Sequence, residues 1–263
     1  MQVEIVPTHG GMISQINAEG VEIFKLDRTT LLFSPMTAGG MPLLFPFAGR
    51  VRDDGYCWKE RLYHMPMHGL VKNEPFGIRE LSDDRAILWM RANPTWQTFC
   101  YPFDFSIELD YRVKDSMLIC TAAITNYSYQ AMPHSLGWHP YFRATDKKRF
   151  RLIHAMKRHY NYHTYQDDDM VEISDLSLPW DEVFHTSDRK EIALVNYADG
   201  YEAQMLADDS FQALVVCTTP QDSVCVEPWC ALPDAIHNHR FMQWIDPFQT
   251  CTYRIQMNIG RML

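Results

Sequence analysis

Phe103-Asp104-Phe105-Ser106-Ile107-Glu108-Leu109-Asp110-Tyr111-Arg112-Val113 alternates apolar and polar residues without a break. A period of two belongs to a strand with one face on a core and the other in water. Tyr253, Ile255, Met257 and Ile259, set between Arg254, Gln256 and Asn258, repeat the pattern near the C-terminus. Residues 86–91, 117–125 and 211–217 are more continuously apolar, which predicts strands covered on both faces. Ile192 to Tyr197, followed by Ala198-Asp199-Gly200 and then Tyr201 onward, predicts a hairpin in which Asp-Gly supplies the positive φ of the turn. No amphipathic pattern exceeds about three helical turns. The 15 prolines and 12 glycines are dispersed as turn punctuation, and no linker or internal repeat stands out. The run Asp167-Asp168-Asp169 predicts a solvated loop. These patterns give one all-β domain over residues 1–263, an antiparallel fold of the large-sandwich type.

Composition narrows the function. Of 263 residues 46% are hydrophobic and 22% charged, enough for a substantial core in a soluble globular protein. The net charge of −9 argues against nucleic acid or an anionic membrane as the main partner, since both require a basic face. The N-terminal Met1-Gln2-Val3-Glu4-Ile5-Val6-Pro7 lacks the features of a signal peptide, and no stretch reaches the ~18 apolar residues of a membrane span. Seven scattered cysteines without a Cys-x-x-Cys pair fit reduced thiols, and the expected location is the cytoplasm.

Two segments place an ionisable side chain directly before proline: His134-Ser135-Leu136-Gly137-Trp138-His139-Pro140-Tyr141-Phe142 and Cys225-Val226-Glu227-Pro228-Trp229. The following proline drives His139 and Glu227 into extended backbone. A histidine and a carboxylate fixed this way can form a general acid/base pair. Glu227 lies among apolar residues, where an ionised carboxylate is costly unless it is paired or functional. Three further segments carry polar groups beside turn residues or aromatics. Gly39 to Val51 ends on Gly49-Arg50, Met65 to Lys72 holds His68-Gly69 with Lys72 four residues past the histidine, and Leu178 to Phe184 sets Asp181 beside Trp180. Tryptophans next to polar groups, such as Trp138 and Trp229, suit carbohydrate, whose C–H faces stack on rings while its hydroxyls seek polar partners. Neither His68 with Lys72 nor His237-Asn238-His239 forms a recognised metal-ligand pattern.

Taken in order, Pro42-Leu43-Leu44-Phe45-Pro46, Gly49-Arg50, His68-Gly69, His139-Pro140-Tyr141-Phe142 and Val226-Glu227-Pro228-Trp229 resemble the aldose 1-epimerase (galactose mutarotase-like) family. The resemblance implies a large antiparallel β-supersandwich. It implies His139 as general acid, Glu227 as general base, Arg50 and His68 as groups that hold and polarise the sugar, and Asp181 as a carboxylate for a sugar hydroxyl. The implied activity is interconversion of the α and β anomers of a hexose, with a small-molecule sugar as partner and no cofactor or metal. Trp138-His139-Pro140-Tyr141-Phe142 is closer to divergent branches than to the galactose enzymes. Gly39-Gly40-Met41-Pro42 is similar to the hexose-phosphate branch, where an arginine after His-Gly helps bind phosphate. Here the comparable residue is Lys72, a point charge without the guanidinium fork.

Other readings stay open at this level: a non-catalytic carbohydrate-binding protein on the same fold, a mutarotase for hexose phosphates, or a glycoside hydrolase using Glu227 and Asp181. The expected substrate is a neutral aldose. The expected geometry has His139 and Glu227 facing one another across an open cleft, on the order of 5–8 Å apart.

Overall fold

The alternating stretch forms the strand Phe105–Lys114, with Phe105, Ile107, Leu109 and Tyr111 buried. It pairs antiparallel with Arg85–Arg91 on one side and Met117–Asn126 on the other. Met117–Asn126 pairs in turn with Thr250–Arg261, which holds the second alternating stretch. These strands, with Gly77–Leu81, Tyr201–Ala207, Glu191–Asn196 and Phe150–His154, make one eight-stranded sheet. The protein is described here by a computed structural model over residues 1–32, 38–186 and 191–262.

A second eight-stranded sheet runs Gln166–Asp168, Arg158–Asn161, Asp181–His185, Ala213–Cys217, Ser223–Trp229, Gly137–Trp138 and Leu43–Leu44, with Tyr141–Arg143 also paired to Ser223–Trp229. Between the two sheets lies the main core, where Phe184, Leu214, Val216, Val224 and Val226 join Ile107 and Leu109 in one apolar cluster. Burying a side chain of this size contributes roughly 1.5–3 kcal/mol. The second sheet also carries apolar residues on its outer face, where Leu44, Val183, Ala213, Val215, Trp229 and Leu232 form a smaller cluster. This two-sheet architecture is the large antiparallel β-supersandwich expected from the sequence. Among the described residues the α-helical segments are short, Pro94–Phe99 and Ala235–Asn238. No helix among them is long and apolar enough to cross a membrane.

Two local expectations change and the hairpin holds. Only Ala213–Cys217 is covered on both faces, whereas Arg85–Arg91 and Met117–Asn126 alternate between buried and partly exposed positions. The apolar outward residues of those two strands, such as Ile87 and Ile119, stay partly exposed opposite Asp110 and Arg112 of the neighbouring strand, so a continuous apolar run there does not mean a second covering layer. The hairpin pairs Asn196 with Tyr201, Gly200 takes φ +76°, and the Asn196 side chain accepts from the backbone N–H of Ala198 and Asp199. Asp167 and Asp168 are exposed as expected but belong to the edge strand Gln166–Asp168, paired with Arg158–Asn161, rather than to a free loop, and Asp167 is also held by Arg240 and His185 at 2.8 and 2.9 Å.

Candidate active site

Alternation along one strand builds the floor of the site. Ser223–Trp229 is buried throughout, so its even residues Val224 and Val226 enter the main core while Cys225, Glu227 and Trp229 project to the outer face. There they line a cleft of about 770 Å³. His139 reaches the same cleft from the adjoining segment, whose backbone is tied down by His139 N–H to Pro42 O and Tyr141 N–H to Gly40 O, at 3.1 and 2.9 Å. Trp138, the preceding residue, points the opposite way. It is fully buried and packs near Tyr111, with ring centroids 6.2 Å apart. Its sequence-based assignment as a sugar contact is therefore corrected: neighbours in extended chain take opposite faces, and His139 has the cleft side.

His139 Nε2 lies 3.2 Å from Glu227 Oε1, with the carboxylate side chain 2% exposed. The pair is in contact, not a sugar's width apart, since the histidine segment runs directly alongside the glutamate strand and nothing stands between them. The other carboxylate oxygen, Oε2, accepts from Trp229 Nε1 at 3.2 Å. The His139 ring stacks on Tyr141 at 4.4 Å between centroids, two residues along the same face, and the Tyr141 hydroxyl is 3.4 Å from His139 Nε2. Burial raises the Glu227 pKa well above its ordinary value, and the negative charge of Asp181 raises it further, against a smaller opposing effect of the Trp229 bond. Burial, with His68 and Lys72 nearby, pushes His139 well below its ordinary value. Both shifts favour neutral forms, so one proton shared by the pair rests on the carboxyl.

His68 stands over this pair, its ring 5.2 Å from His139 and 6.1 Å from Trp229 between centroids. It takes a left-handed φ of +67° and is locked to Gly49 in both directions: its N–H donates to Gly49 O at 2.8 Å, and its Nδ1 accepts from Gly49 N at 3.2 Å. An accepting Nδ1 puts the proton on Nε2, which leaves that N–H as the donor available to the cleft. Burial and then Lys72 push the His68 pKa down to about 3. Trp229 fits between two glycines, since a Cβ at Gly137 would lie 2.4 Å from Trp229 Cδ1 and one at Gly49 2.9 Å from Cζ3.

The remaining sequence candidates gather at the rim and walls. Lys72, in the short 3₁₀ turn Val71–Asn73, lines the cleft; burial lowers its pKa, and no carboxylate pairs with it among the described residues. Asp181 opens its strand at the cleft and accepts from the Tyr162 hydroxyl at 2.8 Å. Arg50 lies at the rim, 68% exposed, with Nε 3.2 Å from Asp54. Thus Arg50, His68, Lys72, His139, Asp181, Glu227 and Trp229 share one cleft, and Trp138 is outside it. Sequence reasoning missed Tyr141, Tyr162, Tyr165, Cys217 and Cys225, all of which line it. Tyr141 and Cys225 carried a usable signal, each two positions from a candidate and hence on its face. Tyr162 and Tyr165 carried only an aromatic-rich run.

A β-supersandwich of this kind places the chain among the galactose mutarotase-like folds. A protein described as galactose mutarotase-like, from Clostridium acetobutylicum, superposes with a TM-score of 0.85 at 16% identity, covering 99% of this chain and 92% of that one. The Slr1438 protein from Synechocystis sp. PCC 6803 superposes with a TM-score of 0.91 at 22% identity, covering 98% and 91%. At such identities the likeness is one of fold. The chain belongs to the aldose 1-epimerase family, whose profile matches residues 1–242. Among curated relatives, YphB of Escherichia coli K12 is 26% identical over 160 residues, 55% of this chain and 53% of that protein. LacX of Lactococcus lactis is 26% identical over 110 residues, 40% of this chain and 36% of that protein. The matches thus span about half or less of these relatives' lengths.

Proposed function

We propose that this protein is an aldose 1-epimerase that interconverts the α and β anomers of a hexose by acid/base ring opening. The observation that carries this reading is the contact of His139 Nε2 with Glu227 Oε1, both buried on the floor of a cleft with ample room for a hexose. The anomeric oxygen and the ring oxygen of a pyranose share one carbon and lie only about 2.3 Å apart, so an acid and a base side by side can each reach one of them. In the ionised form of the pair, Glu227 takes the proton of the anomeric hydroxyl. The bond between C1 and the ring oxygen breaks, its electron pair stays on that oxygen, and His139 donates the proton that neutralises it. Rotation about C1–C2 of the open aldehyde and the reverse transfers close the ring on the other face. One proton moved across the 3.2 Å contact converts the resting neutral pair into this form.

The surroundings suit a sugar. His68 Nε2–H donates to a sugar oxygen while its neutrality avoids adding charge beside His139, and Asp181 with Tyr162 addresses hydroxyls from elsewhere in the cleft. Arg50 contributes at the rim, and Trp229 offers an apolar face. The reaction moves protons only, so its balance requires no redox or metal group. A neutral hexose is the main reading. Lys72 favours a second, a hexose bearing an anionic group, because a partly desolvated ammonium with no carboxylate partner among the described residues calls for an anion. The test is a screen of freshly dissolved monosaccharides, neutral and phosphorylated, by change of optical rotation. Acceleration of monosaccharide mutarotation supports the assignment, whereas activity confined to glycosides would replace it with hydrolysis.

A further inference from the structure

Cys225 has no part in the chemistry above, yet it stands beside it. It precedes Glu227 by two residues on the same strand face, pairs across the sheet with Tyr141 and with Cys217, and is fully buried. His139 Nε2, Cys225 Sγ and a Glu227 carboxylate oxygen all lie within 4.8 Å of one another. Two donors bound to one zinc ion at ~2.0–2.3 Å in tetrahedral array are themselves separated by about 3.3–3.7 Å. The three side chains therefore need shifts of an ångström or less to converge on one ion.

We propose that His139, Cys225 and Glu227 form a site for a thiophilic divalent cation, zinc above all, and that the ion blocks the acid/base pair by taking both of its reactive atoms. Imidazole, thiolate and carboxylate together are the donor set of a borderline-soft ion, not of magnesium or calcium. His139 supplies the Nε2 lone pair and keeps its proton on Nδ1. The Cys225 thiol and the Glu227 carboxyl each release a proton to solvent, and the carboxylate then binds through Oε1. A thiolate and a carboxylate balance the two positive charges, so the occupied site carries no net charge into its buried setting. Outer contacts already orient two of the ligands, with Trp229 Nε1 holding Glu227 Oε2 and Tyr141 stacked on the His139 ring. The fourth position opens to the cleft and takes water. Binding rests on the three donors alone; inhibition of mutarotation rests in addition on the proposed function, so the two fail separately.

The probe is Co²⁺ added to the purified full chain and followed by its thiolate-to-cobalt absorption in the near ultraviolet. The expected result is a band that saturates at about one equivalent, collapses on adding Zn²⁺, and is lost in Cys225→Ser with affinity weakened more than about tenfold. Six other cysteines make that variant the essential control. Because Cys225 is buried, ¹¹³Cd NMR of the unmodified chain supplies a readout that needs no substitution: a single resonance in the range of one-sulfur coordination. A wild-type chain with no saturable band, the same band in folded Cys225→Ser, or a cadmium shift typical of oxygen and nitrogen ligands alone would overturn the proposal.

Discussion

His139 Nε2 and Glu227 Oε1 stand 3.2 Å apart at the floor of the cleft, and their environments push the two pKa values in opposite directions, the histidine down and the carboxyl up. The consequence is a single mobile proton held between two groups. Ring opening takes one proton from the anomeric hydroxyl and returns one to the ring oxygen, so such a pair ends each half-reaction with its proton count unchanged. Burial supplies most of this tuning, and the charge of Asp181 on Glu227 is the part that substitution can remove.

Asp181→Asn deletes that charge. The Glu227 pKa then falls toward its ordinary value, and the ionised base is populated at lower pH. The expected outcome is a shift of the acidic limb of the kcat/KM profile to lower pH, beside any change in KM from the lost sugar contact. A limb that stays in place while KM alone changes would remove Asp181 from the control of Glu227.

His68 is a buried neutral imidazole with a pKa of about 3. The unfolded chain, with its ordinary value near 6.5, binds the proton first, so between pH 6.5 and 3 the unfolded state is favoured as pH falls. Stability from this group is complete above about pH 6.5 and is lost progressively toward pH 3. Urea midpoints across this range should therefore fall less steeply for His68→Gln than for the wild type. Identical slopes would show that His68 is not held neutral.

Gly137→Ala places a methyl group where only 2.4 Å separates it from Trp229 Cδ1. Trp229 must move, and with it the indole N–H that holds Glu227 Oε2. Overpacking of this kind costs about 1–3 kcal/mol. A lowered Tm together with reduced kcat is expected, and a wild-type Tm would mean that the tryptophan has room to yield.

Lys72→Ala separates the two substrate readings. For a neutral hexose, the variant should raise KM for glucose and for glucose phosphate alike, and added salt should leave their ratio unchanged. A preference for the phosphate that weakens with salt and disappears in Lys72→Ala would establish the anionic substrate instead.

Much of this arrangement is visible in the chain itself. The alternation of residues 103–113 fixes a half-buried strand because a period of two has no other good solution, and the prolines after His139 and Glu227 mark both as extended. The same alternation, followed one residue further, already separates Trp138 from His139 and joins Cys225 to Glu227. What the chain does not display is the sheet order. That Asp181 and Tyr162 come to face Glu227 depends on Ala213–Cys217 pairing with both Asp181–His185 and Ser223–Trp229, a set of long-range contacts that no local pattern encodes. The contact distance of the acid/base pair is hidden for the same reason, since it is set by how the segment around Pro140 lies against the strand of Glu227.

The most direct measurement follows the optical rotation of freshly dissolved α-glucose and α-galactose with wild-type protein and with Glu227→Gln, which keeps the shape of the side chain but cannot accept the anomeric proton. The wild type should speed the approach to anomeric equilibrium in proportion to its concentration for at least one of the two sugars, and the variant should be slower by roughly 10²–10⁴-fold in kcat. Wild-type rates in folded Glu227→Gln, or a wild-type protein no faster than buffer with either sugar, would contradict the central role given to the His139–Glu227 pair.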